Sequence, residues 1–307
     1  MRIKWLAITL SLLMFITIGC EDNNNDIDLI SAHTGNIELS AQLFSFENNE
    51  FVDTYDLKLV YENQNYLVKL NSSAQVVAVK ADTTFDLATL PPYGYTTDTD
   101  TNYAIGDSWQ DSSTYNFTDH SIQGNGQVYF VRASNYEWIK LEILSGSPTG
   151  ISFKYATATT AAQTVNLSYG AGDPAFYNFT AADEINPEDW ELGFVTIPVY
   201  TGPTMGTIYM PSVIYNIENG IEVMVITDDI FDDVKSIPAN ATWITATQEL
   251  GYEGSAEVLV YHPEPPYNHQ VIVENDNYVY IFKTENGNFK VQFNEYDDVV
   301  IFDFTEL

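Results

Sequence analysis

The chain has 307 residues, with 43 acidic and 11 basic side chains and a formal charge of −32. That balance excludes nucleic acid and anionic lipid faces as partners, because phosphate binding needs clustered Lys and Arg to displace counterions. Hydrophobic residues at 45% and aromatics at 14% exclude a disordered chain, and the single Cys excludes both an internal disulfide framework and a Cys-rich zinc site.

At the N-terminus, Arg2 and Lys4 precede an apolar stretch from Trp5 to Ile18. It is shorter than the ~20 residues a membrane-spanning helix needs and fits the hydrophobic region of a secretory signal. The stretch ends Thr17-Ile18-Gly19-Cys20, which resembles a bacterial lipobox. Residues 1–19 are therefore expected to be a signal peptide and Cys20 the lipidated first residue of the mature chain. Removing two cations with the signal leaves 43 acids against 9 bases, or −34. The acidic, polar run from Glu21 to Asp26 opens a tether expected over 20–36. It resembles the export signal that sends Bacteroidota lipoproteins to the outer face of the outer membrane. A calcium loop is excluded there, since the run lacks the Gly at the turn and the bidentate Glu at the end.

Beyond Asn36 the pattern is all-β. Short segments of alternating β-branched and aromatic residues, such as Tyr66 to Leu70, Val128 to Arg132, Trp138 to Leu144 and Val299 to Phe304, recur between Gly, Asn, Asp and Pro clusters. The pattern occurs twice. Gln127 to Lys140 can be laid over Tyr278 to Lys290, each a strand, a tight turn and a return strand carrying a Lys. Thr84-Phe85-Asp86 up to Pro91 corresponds to Ile230-Phe231-Asp232 up to Pro238, and Tyr55-Asp56-Leu57 to Trp190-Glu191-Leu192. The separations are 151 residues for Val128 and Val279, 150 for Lys140 and Lys290, 146 for Phe85 and Phe231, and 135 for Tyr55 and Trp190. Order is kept while spacing drifts, as expected when loops vary around a shared strand frame. Two tandem sheet-rich domains are expected, over 37–158 and 163–307, joined by the small uncharged run at 156–162.

Each copy resembles the HmuY-type haemophore family of surface lipoproteins. The resemblance rests on Trp190-Glu191-Leu192-Gly193-Phe194, on the Phe-Asp turn before a Pro, and on the closing hairpin with its return-strand Lys; in the first copy Ile105 to Trp109 and Tyr115 to His120 add to it. Tyr55-Asp56 and Glu191 depart from the family's Trp-Asp pair. The resemblance implies a lipid-anchored cell-surface protein that takes up haem or a related porphyrin as its ligand and passes it to a TonB-dependent outer-membrane receptor. The alternative is a surface adhesion or scaffold lipoprotein that kept the fold and lost the axial ligands.

Haem iron needs imidazole, thioether or phenolate donors between apolar walls. The resemblance implies one axial His after a strand and ahead of the closing hairpin, the place of His262. The second donor comes from the segment before the Phe-Asp turn, here Glu222-Val223-Met224-Val225-Ile226, which holds no His. Met224 is the candidate there, with Met205 and Met210 as further thioethers; the plain alternative makes Met224 a core strand residue. His120 and His269, 149 residues apart, hold corresponding places ahead of the two closing hairpins. In the first copy Tyr93, Tyr95 and Tyr103 are the oxygen donors on offer. His33 falls in the leader. Lys140, Lys154, Lys283 and Lys290 all lie in the closing hairpins and offer local relief from the acidic field.

No nucleophile elbow, His-Glu-x-x-His, phosphate loop or zinc spacing occurs, and neighbouring carboxylates such as Asp232-Asp233 would splay apart on a strand. The chain is not expected to be an enzyme.

Overall fold

The computed structural model describes residues 29–307, apart from 63–64, 90, 92–93, 100, 170–172, 201–206, 228, 245–249, 251–257 and 268. The signal segment, Cys20, Tyr93 and Met205 lie outside the described residues. In chain order the strands are β1 (Ile30–His33), β2 (Gln42–Ser45), β3 (Glu50–Val52), β4 (Leu57–Glu62), β5 (Asn65–Leu70), β6 (Val77–Ala81), β7 (Gln110–Asp111), β8 (Ile122–Gly124), β9 (Val128–Arg132), β10 (Trp138–Ser147) and β11 (Gly150–Ala156). They continue as β12 (Gln163–Ser168), β13 (Ala175–Asn178), β14 (Asp183–Ile185), β15 (Leu192–Tyr200), β16 (Thr207–Tyr215), β17 (Glu222–Ile226), β18 (Leu259–His262), β19 (Gln270–Val273), β20 (Val279–Lys283), β21 (Asn288–Tyr296) and β22 (Val300–Glu306). Among the described residues the only helices are single 3-10 turns. The all-β expectation holds.

Strand alternation sets the burial. In β5, in β10 as far as Ile143 and in β11 as far as Tyr155 every second side chain is buried, the mark of a sheet with one face on a core. β9 is buried at all five positions, because it is covered on both faces.

Apart from the β18–β19 hairpin, the strands form two pairs of facing sheets. In the first, β14-β13-β4-β5 faces a seven-stranded sheet. There β10 pairs with β11 on one side, while its other side is shared between β9 and β8. Leu57, Leu59, Tyr66, Val68 and Tyr177 from one sheet meet Tyr129, Val131, Leu141, Phe153 and Tyr155 from the other. In the second pair, β16-β15-β2-β3 faces β1-β22-β21-β20-β17, around Phe44, Phe194, Tyr280, Phe293, Phe302 and Phe304. Phe44 packs edge-on against both Phe302 and Phe304 at 5.3 Å, a geometry worth ~1 kcal/mol per pair beyond area burial.

Chain order and sheet membership cross over. β1 and β2 precede β4 in the chain yet pair with β22 and β15 of the second sheet pair. β12 and β13 follow β11 and complete the first, on β11 and β4. The expected tether therefore already contains a strand, and His33 ends it, opposite Ile301. The run at 156–162 joins β11 to β12, antiparallel neighbours in one sheet.

Local details recur between the pairs. β10 and β21 carry a bulge at corresponding places, between Ile143 and Ser145 and between Phe293 and Glu295. Asn71 and Asn216 make the same four contacts. Each donates its backbone N–H to the carbonyl of Asp56 or Glu191 and its amide to that of Tyr55 or Trp190; each accepts from Ala74 or Asn219 at Oδ1 and from Val76 or Ile221 at the carbonyl. Lys140 and Lys290 reach the Phe-Asp turns in both, lying 4.4 and 4.2 Å from the ring centres of Phe85 and Phe231.

Where the pairs meet, the Arg132 guanidinium is stacked between the rings of Tyr136 and Tyr209, at 4.1 and 4.0 Å. Burial holds its pKa below the usual arginine range. The Tyr136 hydroxyl accepts a hydrogen bond from the Thr196 backbone N–H at 2.8 Å.

Candidate functional site

Alternation on β17 decides what Met224 can do. Val223 joins the core between the sheets, so Met224 faces outward, where it is 5% exposed among Ile226, Phe231, Val234, Val279 and Ile281. The 3-10 turn at Phe231–Asp233 closes over it. Its sulfur is packed as an ordinary core group.

The other candidates lie on and around the β18–β19 hairpin, whose Leu259 joins the core between the sheets. The His262 ring lies 4.8 Å from that of Tyr267, and its Nε2 is buried without a hydrogen-bond partner among the described residues, 3.8 Å from a carboxylate oxygen of Glu274. His269 donates its backbone N–H to the His262 carbonyl at 2.9 Å, and its Nδ1 is 2.5 Å from the Tyr261 hydroxyl. In the first pair His120 repeats this, with Nδ1 2.6 Å from the Tyr115 hydroxyl. Both His120 and His269 have left-handed backbone, at φ 58° and 70°, a region His tolerates better than most non-glycine residues. The structure thus gives His120 and His269 one local role, a tyrosine-bonded imidazole at a strand entry, and does not bring Met224 to any of the imidazoles.

Met210 lines an apolar hollow of about 280 Å³ with Ile197, Ile208, Leu250, Leu259 and Tyr261. Tyr103 lies beneath the Lys69 ammonium at 5.0 Å, in a polar cavity of about 500 Å³ shared with Tyr55 and Lys58. Burial and the charges of Glu218 and Asp98 push the Tyr55 phenol up to about 12. The Tyr55 phenol is neutral there. Among the described residues no cluster of three or more His, Cys, Asp or Glu could hold a metal ion.

A third cavity, of about 610 Å³, opens beside the first Phe-Asp turn, and its walls include Ala88, Phe130, Tyr136, Trp138, Lys140 and Ala158. Sequence patterning marked Lys140 as a hairpin cation but gave no sign of this cavity. Its only trace is a row of alanines, Ala88, Ala156 and Ala158, where the second copy carries Val234, Thr305 and Leu307.

The sequence marks Asp56 and Glu191 as counterparts but gave no sign that both are buried. Asp56 is fully buried, and its two carboxylate oxygens accept from the backbone N–H groups of Ser134 and Phe179, at 2.7 and 2.6 Å. Glu191 accepts from Phe46 N–H at 2.7 Å. Burial raises the pKa of both. Both sit at the start of a hairpin and hold strands in place, so they are structural groups. Among the described residues no helix is long and apolar enough to cross a membrane. Comparison of the chain with protein-family models, with curated proteins and with solved structures finds no match to any of the three.

Proposed function

We propose that the chain is a non-enzymatic lipoprotein of the cell surface, held at the outer membrane through Cys20 and made of two HmuY-like units that exchange strands. In this reading the units keep the haemophore frame but not its axial pair, and the protein serves as a surface binding or scaffold module. The observation that carries it is Met224. The position that would supply the second axial donor is sealed in an apolar cluster on the outer face of its sheet, while His262 packs on the β18–β19 hairpin. The recurrence of the Asn71 and Asn216 contacts and of the Lys140 and Lys290 contacts supports the two-unit part.

Haem or porphyrin capture, with delivery to a TonB-dependent receptor, is the second reading. One observation favours it: the His262 imidazole keeps a nitrogen without a hydrogen-bond partner among the described residues, beside the Tyr267 ring. A hemin titration of the mature chain followed at the Soret band separates the two. The scaffold reading expects a spectrum that is unchanged from free hemin and identical in His262→Ala. A saturable Soret shift lost in His262→Ala, or shared with His269→Ala, would replace it with capture.

A further inference from the structure

We propose that the cavity beside the first Phe-Asp turn is a binding site for a small aromatic carboxylate, held by the Lys140 ammonium against the rings of Phe130, Tyr136 and Trp138. The argument begins with a comparison inside the chain. Lys290 and Lys140 stand at corresponding points, opposite Ile281 and Phe130 across the hairpin. Around Lys290 the space is filled by the protein. The side chain is 1% exposed, its Nζ donates to the carbonyls of both Phe231 and Val234 at 2.7 and 3.0 Å, and Ile237, Trp243 and Leu307 pack over the cluster beside it.

Among the described residues the space around Lys140 is left open. Ala88 stands where Val234 does, and Ala158 where Leu307 does, two residues beyond the partner of each lysine on the last strand of the hairpin. Among the described residues Lys140 donates to one carbonyl, that of Ala88 at 3.2 Å, which leaves donor capacity for an anion. The resulting cavity of about 610 Å³ lies within the ~300–1,000 Å³ typical of small-molecule sites, and its make-up is the usual one of apolar walls with few polar groups. Glu137 on the rim is the one carboxylate in its lining. In a chain of charge −32, a cavity that offers an ammonium and three rings selects for an apolar body with one negative group.

This goes beyond the scaffold reading and does not depend on His262. The test is calorimetric titration of the full mature chain with 2-naphthoate and with its neutral counterpart 2-naphthalenemethanol. Saturable binding of one naphthoate is expected, weakened about tenfold or more for the alcohol and in Lys140→Met, as expected for loss of a charge-assisted hydrogen bond. Ala158→Leu, at an exposed position, copies the second unit's own plug and is expected to abolish binding while leaving the melting temperature unchanged. No saturable heat with naphthoate, equal binding of the alcohol, or undiminished binding in Ala158→Leu would overturn the proposal. Because hemin is read at the Soret band in the other unit, either outcome leaves the result of that titration untouched.

Discussion

Asp56 and Glu191 do the same work at the same point of the two sheet pairs: each lies just ahead of a hairpin strand and accepts the backbone N–H of a residue from an exchanged segment, Phe179 for Asp56 and Phe46 for Glu191. They differ in their donors, since beside its backbone partner Glu191 has the Ser45 hydroxyl. Asp56 accepts at both oxygens, from Ser134 as well as Phe179. In Asp56→Asn one oxygen becomes an NH₂ facing a backbone donor, so a cost of ~2–3 kcal/mol is expected. Glu191 takes one such backbone bond, which an amide oxygen can still accept, and Glu191→Gln should cost under ~1 kcal/mol. Urea unfolding midpoints compare the two; equal costs would show that the second oxygen of Asp56 contributes nothing.

These two acids and Asp98, whose carboxylate accepts from the backbone N–H groups of Leu70 and Ala104, set a pH dependence of unusual sign. Burial raises the folded-state pKa of Asp56, Asp98 and Glu191 above the ordinary carboxylate range. A raised carboxyl contributes stability that is fully present below its unfolded pKa and is lost as pH rises through the folded value. Self-repulsion at −32 acts in the same direction. The melting temperature is therefore expected to rise as pH is lowered from about 7 to about 5. Repeating the series in ~1 M salt, which screens the surface repulsion, should leave the buried acids' share of the slope. A melting temperature that falls throughout this range would contradict the assignment.

Much of the frame was legible in the sequence because period-two alternation and turn residues are local signals. β5, β10, β20, β21 and β22 fall where the pattern places them, and the matched Lys140 and Lys290 do occupy matching positions. What could not be read was partner choice. Ile30 to His33 is too short and too close to the acidic run to be told from a tether; it becomes a strand only because β22 offers it an edge. The surroundings of Met224 were hidden for a similar reason. The alternation around Met224 shows that one face is buried, but whether the outward face meets solvent or a second apolar layer depends on the turn at Phe231, which returns from farther along the chain. The tyrosine partners of His120 and His269 were within eight residues, yet a hydroxyl five or eight positions away carries no periodic signature.

Lys290 and Lys140 should respond differently to the same substitution. Lys290→Met strands two buried carbonyls, those of Phe231 and Val234, while Lys140→Met strands only that of Ala88. Burial also lowers the Lys290 pKa, so removing that charge recovers part of the loss. A net cost of ~1–3 kcal/mol is expected for Lys290→Met and a smaller one for Lys140→Met. Guanidinium unfolding of both variants checks the order, and a larger effect at Lys140 would mean that its contact with Phe85 outweighs the carbonyls at Lys290.

The strand exchange makes the strongest demand on the molecule. A protease site placed at 158–161, on the exposed link between β11 and β12, cuts the chain into a piece carrying β1 to β11 and a piece carrying β12 to β22. Four ladders cross that cut: β1 on β22, β2 on β15, β12 on β11 and β13 on β4. Separating the pieces would strip an edge strand from each large sheet and expose the backbone donors and acceptors of β4, β11, β15 and β22, besides opening the phenylalanine cluster around Phe44. The cleaved protein is therefore expected to elute as one species of unchanged size in native buffer and to separate into two only in denaturant. Two units that each completed their own sheets from consecutive strands would drift apart once cut, so recovery of separate folded fragments in native buffer would refute the crossed pairing of β1–β3 and β12–β14.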